Sequence, residues 1–244
     1  MSYDIANKVA LISGANRGIG KAIVESFIQH GAAKVYAGVR SLEKADGLVS
    51  EFGDKVVPIA LDYNDPASIL AAADNASDVQ VVVSNAGILL QATALSDDVI
   101  ETFEKELEVN VYGLLRMAKA FSPVLKENGG GAFVQLNSIA SLASFPDFST
   151  YCASKAAAYS FTQGMKASLA EQGTALLSVH PGPIATDMAV DIGFEGDPVN
   201  MVSEAIVESL KDGAFHLFPD TMAKNFEKAY SPFAQGVVEA EPVE

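Results

Sequence analysis

Ser13-Gly14-Ala15-Asn16-Arg17-Gly18-Ile19-Gly20 decides the fold through what stands on either side of it. Ahead of it, Lys8 to Ser13 is a short apolar run; behind it, Ile19, Ala22, Ile23 and Phe27 recur at helical spacing as far as Ile28. The order is strand, glycine-rich turn, helix. Glycines at such a turn let the backbone approach a pyrophosphate, and the helix N-terminus directs free N–H groups at it. The glycines at 14, 18 and 20 depart from the G-x-G-x-x-G dinucleotide spacing. Taken alone they are also compatible with an ordinary tight turn and a close helix contact.

Outward from the turn, the alternation repeats. Gly31 stands at a helix C-cap position, Lys34 to Val39 reads as a second strand, and a polar helix near Leu42 to Glu51 follows. Then come a strand from Val56 to Leu61, a short helix after Asn64-Asp65-Pro66, and a strand from Val79 to Val83. Helices between β-branched runs imply βαβ crossovers and a mostly parallel sheet covered on both faces. The second half predicts one long helix from about Asp97 to Lys126, closed by Asn128-Gly129-Gly130-Gly131, and a strand from Ala132 to Asn137. A helix from about Thr150 to Gln172 leads to a strand from Ala175 to His180, stopped by Pro181-Gly182-Pro183. A helix near Val202 to Lys211 and a short strand from Ala214 to Phe218 complete the pattern. No linker composition interrupts it, so residues 1–230 are expected to form a single α/β domain holding both cofactor and substrate sites. Residues 231–244 are expected to be a mobile acidic C-terminal tail.

Composition narrows the partners. The 244 residues are 49% hydrophobic and carry a formal charge of -15, which disfavours nucleic acid and anionic membrane surfaces. Cys152 is the single cysteine and cannot close an internal disulfide, the N-terminus lacks a basic-then-apolar leader pattern, and Val79 to Val83 is too short to span a bilayer. A cytoplasmic protein is expected.

The end of the second strand bears on the cofactor. A chain favouring the unphosphorylated dinucleotide places a carboxylate there for the ribose hydroxyls, whereas this one reads Ala37-Gly38-Val39-Arg40. Arg40 could hold a 2′-phosphate in its planar donor fork, and Arg17 could add a second positive group. Solvation of two surface arginines is the plainer alternative.

Asn85-Ala86-Gly87, Ser138 and Tyr151-Cys152-Ala153-Ser154-Lys155 follow the glycine turn in order. With these the chain resembles the short-chain dehydrogenase/reductase family of the classical type, in its NADPH-preferring carbonyl reductase or alcohol dehydrogenase form, over about residues 6 to 220. The resemblance implies a three-layer, doubly wound Rossmann-type α/β fold with a seven-stranded parallel sheet. It implies a catalytic tetrad of Asn110, Ser138, Tyr151 and Lys155, the asparagine perturbing its helix and holding a water that links Lys155 to solvent. Toward NADP(H) it implies Gly14, Asn16, Arg17, Gly18, Ile19 and Gly20 at the turn and Arg40 after the second strand. Asp62 and Tyr63 fall at the adenine, Asn85, Ala86 and Gly87 beside the adenosine, Tyr151 and Lys155 at the nicotinamide ribose, and Pro181, Gly182, Ile184 and Thr186 at the carboxamide. Ser13 stands where threonine is more usual, and Asn137 where a second serine is common; neither removes a catalytic group.

The residues make chemical sense of that set. Tyr151 and Lys155 share one helix face, and a neighbouring ammonium favours a phenolate. Ser138, near the end of its strand, could hold a substrate oxygen against Tyr151 while a hydride crosses. Each residue alone has a duller reading as a turn hydroxyl, a half-buried aromatic or a solvent-exposed stem. His30, His180, His216 and Asp187 form no metal pattern, so no metal is expected, and Cys152 reads as packing. Leu107, Val111, Leu114 and Leu115, with Ala157, Phe161, Met165 and Leu169, put apolar groups on more than one helix face, and the family resemblance points to a homotetramer, a homodimer being the alternative. The expected activity is NADPH-dependent reduction of a ketone or aldehyde, reversible as secondary-alcohol oxidation. The alternatives are 3-oxoacyl thioester reduction and a non-catalytic nucleotide-sensing regulator.

Overall fold

In a computed structural model that describes residues 1–240, seven parallel strands form one sheet in the order β3-β2-β1-β4-β5-β6-β7. These are β1 (Val9–Ser13), β2 (Lys34–Val39), β3 (Val56–Ala60), β4 (Val81–Ser84), β5 (Gly131–Leu136), β6 (Thr174–Val179) and β7 (His216–Leu217). Helices α1 (Gly18–Gln29), α2 (Asp46–Phe52), α3 (Pro66–Asn75), α4 (Val99–Leu107), α5 (Gly113–Glu127), α6 (Ser149–Glu171), α7 (Asp187–Asp191), α8 (Val199–Asp212) and α9 (Thr221–Phe233) fill the connections.

Strand side chains alternate between two cores, as the pleat requires. Ala10 and Ile12 point with Val35, Val81, Val83, Val134 and Leu177 toward Ile23 and Phe27 of α1 and Ile206 of α8. Leu11, Val82, Phe133 and Leu176 point the other way, toward Met117 and Phe121 of α5 and Ala158 of α6. Both faces of the sheet are therefore dry, which is why the strands are near-continuous Val, Ile, Leu and Ala runs rather than alternating ones. Glu204 of α8 ties the first core's helices together, accepting from Ser26 Oγ at 2.8 Å and meeting His30 Nε2 at 2.7 Å.

The strand order reverses between β1 and β4, which pair in parallel through Ala10 and Val81. Open α/β sheets bind ligands at the carboxyl ends of their strands beside such a switch point.

Two parts of the chain differ from the sequence pattern. The long helix expected over 97–126 is broken: α4 ends at Leu107, a π turn spans Glu108–Tyr112, and α5 starts at Gly113. The backbone there admits an extra residue per turn, and Asn110 sits in its middle. The expected tail is helical for much of its length, since α9 runs to Phe233 and a second π turn covers Ala234–Val238. Residues 241–244 of that tail lie outside the described residues. Asp220 caps α9 by accepting from Ala223 N at 3.0 Å, and Phe226 and Tyr230 pack with Phe218 and Ile139 in a third small core.

Candidate active site

The β1–α1 turn is built for close approach. Gly14 and Gly18 hold positive φ, +64° and +52°, and a Cβ on Gly20 would lie 2.2 Å from the Gly14 carbonyl oxygen. No residue but glycine fits at position 20. The helix N-terminus has no side-chain cap, which leaves its first N–H groups facing the cleft.

Ser13 fastens this turn to β4. Its Oγ accepts from Asn85 N at 2.9 Å and Ala86 N at 3.0 Å, while Asn85 Nδ2 donates to Ser13 O at 2.8 Å. Tyr63 comes in beneath them, its hydroxyl 2.8 Å from Ser13 Oγ and 2.9 Å from Ser84 Oγ, and burial pushes that phenol up to about 12. The Tyr63 carbonyl accepts from Arg116 Nη1 at 2.9 Å, and Asp62 Oδ1 caps its own turn through Asn64 N at 3.0 Å.

A cleft of about 410 Å³ runs along the strand ends. Every residue that the sequence assigns to a cofactor borders it: Gly14, Asn16, Arg17, Gly18, Ile19, Gly20, Arg40, Asp62, Tyr63, Asn85, Ala86, Gly87, Tyr151, Lys155, Pro181, Gly182, Ile184 and Thr186. The turn, the uncapped helix end and Arg40 are the right donors for a dinucleotide carrying an extra phosphate. Arg17 also pairs with Asp187 Oδ2 at 3.1 Å, an exposed contact across the mouth of the cleft.

Ser138, Tyr151 and Lys155 border the same cleft, and Asn110 lies just behind it. Asn110 grips the segment after β4 at both ends of one peptide-length step: its Oδ1 accepts from Ile88 N at 2.9 Å and its Nδ2 donates to Ile88 O at 2.9 Å. Nδ2 also donates to Ser154 Oγ at 3.0 Å, tying the π turn to α6. Lys155 Nζ donates to Leu136 O at 2.9 Å and stands 5.8 Å from the centre of the Tyr151 ring. A Cβ on Gly87 would lie 3.1 Å from Asn110 Oδ1 and 3.6 Å from Lys155 Nζ, so the three meet at one point.

Electrostatics in this corner run against the one-turn argument for a lowered phenol. Burial pushes Tyr151 above its ordinary range, the Ser138 hydroxyl opposing, with Cys152 and Glu106 adding to the rise. Burial also brings Lys155 down to about 8, against the pull of Glu106. Helical spacing predicts the ammonium's attraction but carries no information on desolvation, which is the larger effect for both groups.

Three residues absent from the sequence assignments support the site. Glu106, fully buried one turn before Asn110, accepts from Leu90 N at 2.8 Å through Oε1. Its other oxygen has no partner among the described residues, and burial raises its pKa. His180, fully buried, donates from Nδ1 to the Ser138 carbonyl at 3.2 Å and accepts at Nε2 from Ser178 Oγ at 2.8 Å. Burial lowers its pKa to about 3, so it is the neutral imidazole that fixes the Ser138 backbone. Asp220 Oδ2 accepts from Gly182 N at 2.7 Å and joins the base of α9 to the cleft wall. Cys152 is buried, its Sγ accepting from Phe145 N at 3.3 Å. Among the described residues no group of three His, Cys, Asp or Glu could hold a metal ion, and no helix is long and apolar enough to cross a membrane.

The family model for short chain dehydrogenases matches residues 8–195, from the first strand through the segment after β6. This chain belongs to the short-chain dehydrogenase family. Oxidoreductase BOA17 of Botryotinia fuckeliana (strain B05.10) is 30% identical over 212 residues, 84% of this chain and 77% of that protein. The 3-alpha-(or 20-beta)-hydroxysteroid dehydrogenase of Mycobacterium tuberculosis (strain ATCC 25618 / H37Rv) is 32% identical over 192 residues, 77% of this chain and 73% of that protein. A short-chain dehydrogenase of Burkholderia cenocepacia J2315, solved in complex with NADP, superposes with a TM-score of 0.87 at 34% identity, over 98% of this chain and 100% of that one. As a short-chain dehydrogenase the chain is an oxidoreductase, with the seven-stranded parallel sheet of its relatives.

Proposed function

We propose that this short-chain dehydrogenase reduces a ketone or aldehyde to an alcohol with NADPH, and runs in reverse as a secondary-alcohol dehydrogenase. The observation that carries the reading is the meeting of Ser138, Tyr151 and Lys155 beside a glycine cradle in one cleft. Arg40 at the end of β2, where a carboxylate would serve NADH, supports the phosphorylated cofactor, as does the NADP in the Burkholderia relative. When bound, the reduced nicotinamide supplies a hydride to the carbonyl carbon.

The chain's own groups do the rest. Ser138 and Tyr151 donate hydrogen bonds to the substrate oxygen, and Tyr151 gives up its proton as that oxygen becomes an alcohol. Its raised pKa keeps the phenol protonated through neutral pH, the form that reduction needs. Lys155 stabilises the phenolate left behind and holds the nicotinamide ribose, while Asn110 keeps α6 in register with the Ile88 segment. Tyr151→Phe is expected to keep NADPH binding, read by fluorescence titration, while ketone-dependent turnover falls by roughly 10²-fold or more. Unchanged turnover would refute the proton transfer.

The protein works in the cytoplasm and as a homotetramer or homodimer; the assembly is supported by the exposure of Ile100, Tyr112 and Phe161 on the outer faces of α4, the π turn and α6. Light scattering is expected to give a multiple of the 25.6 kDa protomer; the protomer mass alone would remove this part of the proposal.

A further inference from the structure

The substrate end of the cleft is apolar beyond what carbonyl chemistry requires. Leu89, Phe145, Phe148, Met188, Phe194 and Met222 form its wall. The Phe148 and Phe194 rings lie 6.4 Å apart at 55°, one just before α6 and one from the strap after α7, a tilted pair in contact that joins the strap to the cleft wall. Met188, Phe194 and Met222 remain 38%, 43% and 41% exposed there, which is apolar surface that a bulky body would cover.

The basic groups along the cleft are paired or stand away from this wall. Arg17 pairs with Asp187, Lys155 donates to the Leu136 carbonyl, and Arg40 follows β2 at the far end. Among the described residues no cation stands on the aromatic wall to hold a carboxylate or phosphate, and the chain's charge of -15 repels an acidic carrier.

The strap carrying Phe194 is clipped at its ends. Ala185 N donates to Asp197 O at 2.8 Å, Asp197 N to Pro183 O at 3.1 Å, and Thr221 N to Asp197 Oδ2 at 2.8 Å. A Cβ on Gly196 would lie 2.3 Å from the Ile184 carbonyl carbon, so the closure at that end is tight. Phe194 is thus presented from a loop whose base is held.

We infer that the substrate is an uncharged ketone on a bulky ring-bearing apolar body, aryl or alicyclic, and that the paired Phe148 and Phe194 rings form the wall which that body packs against and set specificity. This rests on the reductase reading. The experiment follows NADPH oxidation with three ketones: a small aliphatic one, a bicyclic aryl ketone, and the same aryl ketone bearing a ring carboxylate. The neutral aryl ketone should have the highest kcat/KM, about tenfold or more above the other two. If the aliphatic or carboxylate compound is used as well or better, the substrate inference fails and the reductase reading stands. If none of the three is reduced, both fall.

Phe194→Arg then tests this aromatic wall at a half-exposed position where folding is not at stake. It should raise KM for the neutral aryl ketone about tenfold and lower KM for the carboxylate, with kcat little changed. Equal shifts on both compounds would overturn the role, and Phe148→Ala, which should raise KM for the aryl ketone but not for the aliphatic one, checks the other ring of the pair.

Discussion

Tyr151 and Lys155 are both displaced from their ordinary protonation equilibria by burial, and Glu106 acts on both. Its charge raises both pKa values, so removing the charge while keeping the acceptor for Leu90 N should lower both. Glu106→Gln does this. The alkaline limb of turnover against pH, which belongs to the Tyr151–Lys155 pair rather than to either residue, is expected to move to lower pH. A merely structural glutamate would change activity or stability at every pH and leave the limb in place. The glycines, Tyr151 and Lys155 were legible in the sequence because a turn or a helix fixes their spacing locally. Glu106 was not legible, since its importance comes from the segment at Leu90 and from a neighbour forty-nine positions on, which no local period encodes.

Helix α9 holds the cleft wall through its cap. Asp220 is fully buried and satisfies two backbone donors, Gly182 N and Ala223 N, so Asp220→Ala leaves both without an acceptor. Loss of a cap and an orphaned buried N–H together cost about 2–4 kcal/mol. Urea unfolding is expected to read a loss of that size, with a rise in KM as the Pro181–Gly182 segment loosens; a loss under about 0.5 kcal/mol would show the cap to be incidental. The sheet strands and most helices were legible because both cores impose their periods on the sequence: Val79 to Val83 was read to within two residues of β4. Two elements depart from the sequence pattern for physical reasons, the first at Asn110, where the family resemblance implies a perturbed helix. The apolar pattern runs unbroken through 108–112, and a π turn inserts one residue without interrupting it. The tail expected from residue 231 begins as helix because Phe226 and Tyr230, at helical spacing behind the Asp220 cap, anchor α9 just ahead of it, and only the stretch after them has the charged composition of a tail.

At the scale of the whole molecule, acid stability joins the buried site to the charge of the surface. His180 is held near 3 in the folded chain against an ordinary 6.5, so between those values the unfolded chain binds a proton that the folded one refuses. Stability from this group is complete above pH 6.5 and is lost as pH falls toward 3, at about 1.4 kcal/mol per pH unit for one proton. His216, also lowered by burial, acts in the same direction. Glu106 acts oppositely: its raised pKa means the folded chain takes up its proton first, which favours folding as pH falls. Self-repulsion among surface carboxylates also relaxes as pH falls toward the isoelectric point near 4.5. A wild-type curve therefore sums opposing effects, and the His180 contribution must be isolated by substitution. Asparagine can place an amide near the Nδ1 position to donate to the Ser138 carbonyl, with no proton to gain, at the loss of the acceptor for Ser178. His180→Asn is expected to be less stable than wild type at pH 8, where the imidazole's packing against Phe218 and Tyr159 is lost, yet to show a flatter fall between pH 6.5 and 4.5. Parallel curves for the two proteins would mean that His180 gains its proton in the folded state, and that a neutral imidazole is not what sets the backbone under Ser138.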